Sequence, residues 1–138
     1  MGKKRERRGF TLIELMVVIL IVGILAAVAI PIMRGRIDAA KWSEGKAIMG
    51  TIGTAIRAYA AEMDTRGTYG IGVPSMAALG FAGSDFTGTY FVALDFTWTT
   101  GYDVAADPPL TFSISCTPTT TTLVPATVTL NNTGAWTP

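Results

Sequence analysis

Polarity changes along the chain in a fixed order. Residues 1–9 are polar and basic. The stretch from Phe10 to Met33 is apolar, and Glu14 is its only charge. Within it, Leu15–Met33 is a run of 19 residues without a charge. As a helix that run is about 28 Å long, close to the thickness of a bilayer core. Arg34 and Arg36 end it. Beyond Ile37 the pattern becomes helical: Ile48, Ile52, Ala55, Ile56, Tyr59 and Met63 recur at steps of 4, 3, 1, 3 and 4, which is one stripe. Lys41, Glu44, Lys46, Arg57 and Glu62 fall mostly elsewhere. One helix from Phe10 to about Met63 is predicted. Gly45, Gly50 and Gly53 weaken its propensity and leave room for close packing by a sheet or a second helix. The stripe reads as core rather than as a cofactor surface.

Residues 64–88 are a glycine-rich connector (Asp64, Gly67, Gly70, Gly72, Pro74, Gly80, Gly83, Gly88), with one helical turn expected at Ser75–Leu79. Gly70-Ile71-Gly72 lacks the third glycine and the preceding strand of a nucleotide-binding loop. Strand signals follow at Thr89–Thr97, Tyr102–Ala105, Leu110–Cys116 and Ala126–Leu130. Thr99-Thr100-Gly101, Asp107-Pro108-Pro109 and Asn131-Asn132 punctuate them. Three to four antiparallel strands covering the helical stripe predict an α+β fold. The domain plan is a leader at 1–9, an apolar helix at 10–33, and a globular part at 34–138. That part divides into a helix to about 63, a loop over 64–88 and a sheet over 89–138.

Composition adds a membrane. The 138 residues suit one domain. With 49% hydrophobic and 15% charged residues, the chain is too apolar for disorder. The net charge of +1 hides an asymmetry: residues 1–9 hold five basic side chains against Glu6, and the remainder carries 6 basic and 9 acidic residues. A basic stub on a mildly acidic body does not look like a nucleic-acid-binding domain. The stub should hold the N-terminus in the cytoplasm, so that residues 34–138 lie outside the inner membrane. Arg34 and Arg36 oppose this, two against five. A secretory signal has a shorter apolar core followed by its cleavage site. Here any cut that preserves the run must precede it.

The available chemistry is narrow. Without His there is no Ser-His-Asp triad, Cys-His dyad or His-ligated metal. A single Cys excludes an intrachain disulfide. Cys116 reads as a small buried residue, and no sequence neighbour would lower its pKa. Ser113 and Ser115 lack a base nearby in sequence. No catalytic residue, cofactor or metal site is expected. Trp42, Trp98 and Trp136 read as packing anchors.

Glu14 is the informative residue. A carboxylate costs about 2.5–3.5 kcal/mol at the centre of a membrane helix and less near the interface. Two readings are open. Glu14 can snorkel to the headgroups. Alternatively, a cut after Gly9 creates an α-amino group on Phe10. A rigid helix would keep that amine from its own Glu14, leaving the Glu14 of a neighbouring subunit as its partner. Pro31, with Gly23 upstream, marks a place where the helix can bend or partly unwind. A bland membrane-helix proline is the alternative.

The stretch RRGFTLIELMVVILIVGILAAVAIP, residues 7–31, resembles the class III signal of type IV pilins and their pseudopilin relatives. Glycine, phenylalanine, glutamate, apolar run and proline all occur in order. The resemblance implies that a prepilin peptidase cuts after Gly9 and methylates the new amine of Phe10. It further implies that Glu14 neutralises a neighbour's N-terminus during assembly, and that Pro31 kinks the helix. The implied partners are other copies of the chain in a helical homopolymer, the prepilin peptidase, the inner membrane and the inner-membrane assembly machinery. The implied location is a single-pass inner-membrane protein that later enters an extracellular pilus. The implied fold is a long helix whose distal half packs on an antiparallel sheet.

The chain departs from many pilins in lacking a disulfide-closed loop near its end. Its distal surface needs another restraint, and the last hairpin is a candidate. Thr117–Thr122 and the Asn131-Asn132-Thr133 sequon could carry sugars or be an ordinary polar loop. Two functions share the N-terminus: a surface pilus subunit and a type II secretion pseudopilin. Asp85, Asp95, Asp103 and Asp107 are scattered rather than clustered for calcium, which favours the pilus. A permanently anchored enzyme or binding protein is the remote third.

Overall fold

The computed structural model describes residues 9–65, 72–103, 105 and 109–138. Residues 1–8 of the expected leader, Gly67, Gly70 and Ile71 of the connector, and Val104, Asp107 and Pro108 lie outside them, as does the side chain of Asp64. One α-helix, α1 (Leu12–Thr65), is followed by two short 3-10 turns and four strands. The strands are β1 (Phe96–Tyr102), β2 (Leu110–Cys116), β3 (Val128–Asn131) and β4 (Trp136–Thr137). They form one antiparallel sheet in the order β1-β2-β3-β4. The predicted α+β class and the long helix are therefore found. The chain divides into two compact units, meeting between Ile37 and Asp38.

In the first unit α1 runs without interruption through Gly23 and Pro31. Pro31 has no N–H, so the carbonyl of Ala27 loses its usual intrahelical donor. The large apolar side chains from Leu12 to Met33 are 47–77% exposed. A helix apolar on all sides cannot rest in water, so this half needs lipid or other chains around it.

In the second unit the buried stripe is Trp42, Gly45, Met49, Ile52, Gly53, Ile56 and Ala60. It is rotated from the predicted one: Ile52 and Ile56 are shared, while Ile48, Ala55, Tyr59 and Met63 lie half-buried at its flank. The observed stripe takes in Gly45. The Phe91 ring lies against it, and a Cβ there would come within 2.9 Å of that ring. A pattern of apolar side chains cannot register a contact made by the absence of one. Opposite the helix, β2 and β3 alternate strictly. Phe112, Ile114, Cys116, Val128 and Leu130 are buried, while Thr97, Ser115, Thr129 and Thr137 form one outward row across all four strands.

Several boundaries differ from expectation. The stretch Thr89–Thr97 enters a strand only at Phe96, because Ala93–Asp95 is a 3-10 turn. Thr99-Thr100-Gly101 lies inside β1 rather than ending it, and Tyr102 closes that strand instead of opening another. Leu110–Cys116 is a strand as predicted. The two-residue β4 was missed; Asn131 and Gly134 turn the chain into it. The expected turn at Ser75–Leu79 is present. It ends in a Schellman motif, with Phe81 N–H donating to Met76, Gly80 N–H to Ala77, and Gly80 at φ +82°.

Candidate functional site

The site predicted from the sequence is the start of α1. Gly9, Phe10 and Thr11 are outside the helix, which begins at Leu12 rather than at Phe10. Thr11 sets that boundary. Its hydroxyl accepts the Glu14 N–H at 3.3 Å and its carbonyl accepts the Leu15 N–H at 3.2 Å. This is an N-cap, and Thr11 with Glu14 has the spacing of a capping box. Gly9 and Phe10 are exposed, Phe10 by 80%. Glu14 is exposed in the first turn, where a carboxylate suits the positive end of the helix dipole.

A rigid helix from Phe10 would keep a new amine away from its own Glu14. Phe10 and Thr11 are not helical, so helix rigidity does not forbid that approach. Pairing with a neighbour must rest on packing between chains. Gly23 and Pro31 sit within the exposed apolar half of α1 and not beside Glu14 in sequence.

A second constellation, missed from the sequence, restrains the distal surface. Asp95 is the one buried charged residue among those described, at 2% exposure. Its Oδ1 accepts from the Thr119 N–H at 2.8 Å and the Thr119 hydroxyl at 2.6 Å. Its Oδ2 accepts from the Val92 N–H at 2.9 Å, and its main-chain carbonyl from the Thr117 N–H at 2.9 Å. The carboxylate thus ties the Thr117–Thr122 loop to the turn before β1. The indole N–H of Trp42 adds a bond from α1 to the Pro125 carbonyl at 3.1 Å. That of Trp98 holds the connector through Pro74 at 2.9 Å. These two tryptophans are anchors, as predicted. Trp136 is 40% exposed and stacks under Lys46 at 5.5 Å. Glu44 accepts the Tyr90 N–H at 3.0 Å, and a side chain at Gly88 would collide with its carboxylate.

The expected last hairpin contributes as well. Asn131 Oδ1 accepts from the N–H groups of Thr133 and Ala135 and from the Thr133 hydroxyl. Arg57 on α1 donates to the Asn132 carbonyl at 3.1 Å. Cys116 is a free, fully buried cysteine. Burial, and secondarily the negative charge of Asp95, push its thiol pKa up to about 12. It is a small packing residue rather than a nucleophile. Among the described residues no three His, Cys, Asp or Glu side chains gather as a metal site would require.

Comparison with known proteins finds a motif at the N-terminus and similarity along the chain to different extents. Residues 4–30 match the family model of the prokaryotic N-terminal methylation motif. A fimbrial protein of Dichelobacter nodosus is 34% identical over 106 residues, covering 76% of this chain and 63% of that protein. The type II secretion system core protein G of Pseudomonas aeruginosa is 44% identical over 57 residues, covering 41% and 40%. The type IV major pilin protein PilA of Myxococcus xanthus is 47% identical over 59 residues, covering 43% and 27%. The chain therefore spans between 27% and 63% of the length of the relatives it matches. No solved structure matches it. With that motif at its N-terminus, and one long helix and an antiparallel sheet among the described residues, the chain is similar to a fimbrial protein, a type IV major pilin and a type II secretion core protein over the parts they share.

Proposed function

We propose that this chain is the structural subunit of a type IV pilus-like surface filament. A prepilin peptidase cuts it after Gly9 and methylates Phe10. Before assembly it crosses the inner membrane once, with the basic leader in the cytoplasm. The inner-membrane machinery then transfers it into a helical homopolymer. Glu14 pairs with a neighbour's Phe10 amine, and Gly23 and Pro31 let the helix adjust within the filament core. The observation that carries this reading is the apolar first half of α1, exposed on every side and joined to a methylation motif. Each large side chain kept out of water, by lipid before assembly and by neighbouring helices after it, is worth about 1.5–3 kcal/mol.

The experiment is mass spectrometry of filaments sheared from the cell surface. The expected result is an abundant protein beginning at N-methylated Phe10. An abundant filament protein that still begins at Met1 would refute the processing step.

The similarity to a secretion core protein G supports a second reading, a periplasmic pseudopilin. The pilus is preferred because the fimbrial match extends over 106 residues and so reaches past the helix end at Thr65, whereas the secretion match covers 57. Thermal unfolding with and without calcium separates them. A large calcium-dependent rise would favour the pseudopilin, since bound calcium stabilises by mass action.

A further inference from the structure

We propose that the Thr11 hydroxyl positions the chain for cleavage, by keeping the Gly9–Phe10 peptide outside the helix. The inference rests on cleavage falling after Gly9. In that hydrolysis the oxygen of water adds to the Gly9 carbonyl carbon. The C–N bond then breaks, and Phe10 leaves as an amine that takes up a proton. Attack requires access to the carbonyl. In a helix the carbonyl is bonded to the N–H four residues on and shielded by the following turn.

Nothing in the residue types upstream forbids a helix there. The hydrogen bonds at Thr11 supply the restraint. A helix grown back by one turn would need the Glu14 N–H to bond to the Phe10 carbonyl. The Thr11 hydroxyl already holds that N–H at 3.3 Å. The first regular helical bond is then Leu15 N–H to the Thr11 carbonyl. Gly9 and Phe10 are left non-helical and exposed, and among the described residues nothing beyond its chain neighbours lies within 4 Å of where a Gly9 Cβ would be. Without the hydroxyl, Gly9 becomes the next acceptable cap upstream, because glycine caps about as well as threonine. The scissile peptide would then enter the first turn.

The test uses the full-length precursor in detergent micelles with a prepilin peptidase. Cleavage is followed by mass spectrometry of the product beginning at Phe10. Thr11→Val keeps the shape and removes the acceptor. Thr11→Asn changes the shape and caps at least as well. Cleavage of Thr11→Val is expected to be about five-fold slower, the weight of one cap, and that of Thr11→Asn close to wild type. Carbon chemical shifts of Phe10–Leu12 should move toward helical values in the valine variant alone. Equal rates for valine and wild type would overturn the role of Thr11. So would a slow valine variant whose Phe10–Leu12 shifts stay unchanged, since the hydroxyl would then be read by the peptidase itself. A wild-type precursor left uncut, or cut elsewhere, would instead remove the assignment of Gly9, and the inference with it.

Discussion

Asp95→Ala removes the acceptor of three hydrogen bonds, two from Thr119 and one from Val92. A hydrogen bond to a charged group contributes about 1.5–3 kcal/mol. Not all of that is lost. Thr119 is exposed, so water replaces Asp95 at its N–H and hydroxyl. The variant also avoids burying a carboxylate, which offsets part of the loss. Val92 is half-buried, and its N–H is the group least easily resolvated. The net destabilisation should be about 3 kcal/mol. For a unit of roughly 100 residues that lowers Tm by about 12–24 °C. The assay is near-ultraviolet circular dichroism of the full chain in micelles during heating, which reads Trp42 and the aromatic packing around it. Amide exchange adds a local readout. Thr119 should lose protection in the variant, and Thr117 less, since its partner is the main-chain carbonyl of residue 95. Asp95→Asn keeps an oxygen for Thr119 but turns its amide NH2, a donor, toward the Val92 N–H, and should lose about half as much. A Tm change under about 2 °C in Asp95→Ala, with Thr119 still protected, would refute the claim that this carboxylate restrains the loop.

Other outcomes follow from the same contacts. Glu14→Ala should be cut normally yet form few filaments, as counted by electron microscopy and by the mass of the retained subunit; normal filaments would leave Glu14 as a snorkelling residue. Gly50→Ala should stabilise the isolated protein by up to about 1 kcal/mol, since open space surrounds that position. Gly45→Ala should destabilise it by about 1–2 kcal/mol, because crowding against Phe91 outweighs the same gain in propensity; thermal unfolding of both variants checks the sign. The Cys116 thiol should resist alkylation in the folded protein at pH 8. Its folded pKa, about 12, lies above the ordinary thiol value of 9.0. Its contribution to stability is therefore whole below about pH 9 and declines as pH rises toward 12, and Cys116→Ala should lack that part of the decline.

The sequence exposes what depends on residue type at regular spacing. A charge-free run long enough for a bilayer, the glutamate just before it, and the strand at Leu110–Cys116 are all found in the structure. What stayed hidden depends on pairs of distant residues or on missing atoms. The helical stripe includes Gly45, which contributes only space. β4 has two residues and exists because Asn131 folds the turn before it. Asp95 did leave a trace. Between Asp85 and Asp103 it is the only charge, in an apolar run ending in a strand. That is the same signal that singled out Glu14. The two carboxylates differ in where their partners lie. Asp95 finds its donors within the fold, at Thr119 and Val92, and so acts as a restraint. Glu14 remains exposed in the first turn of α1, whose apolar first half has no core of its own. For Asp95 the partners belong to the same chain. For Glu14 we propose a partner in another chain, and Glu14→Ala puts that proposal to the test.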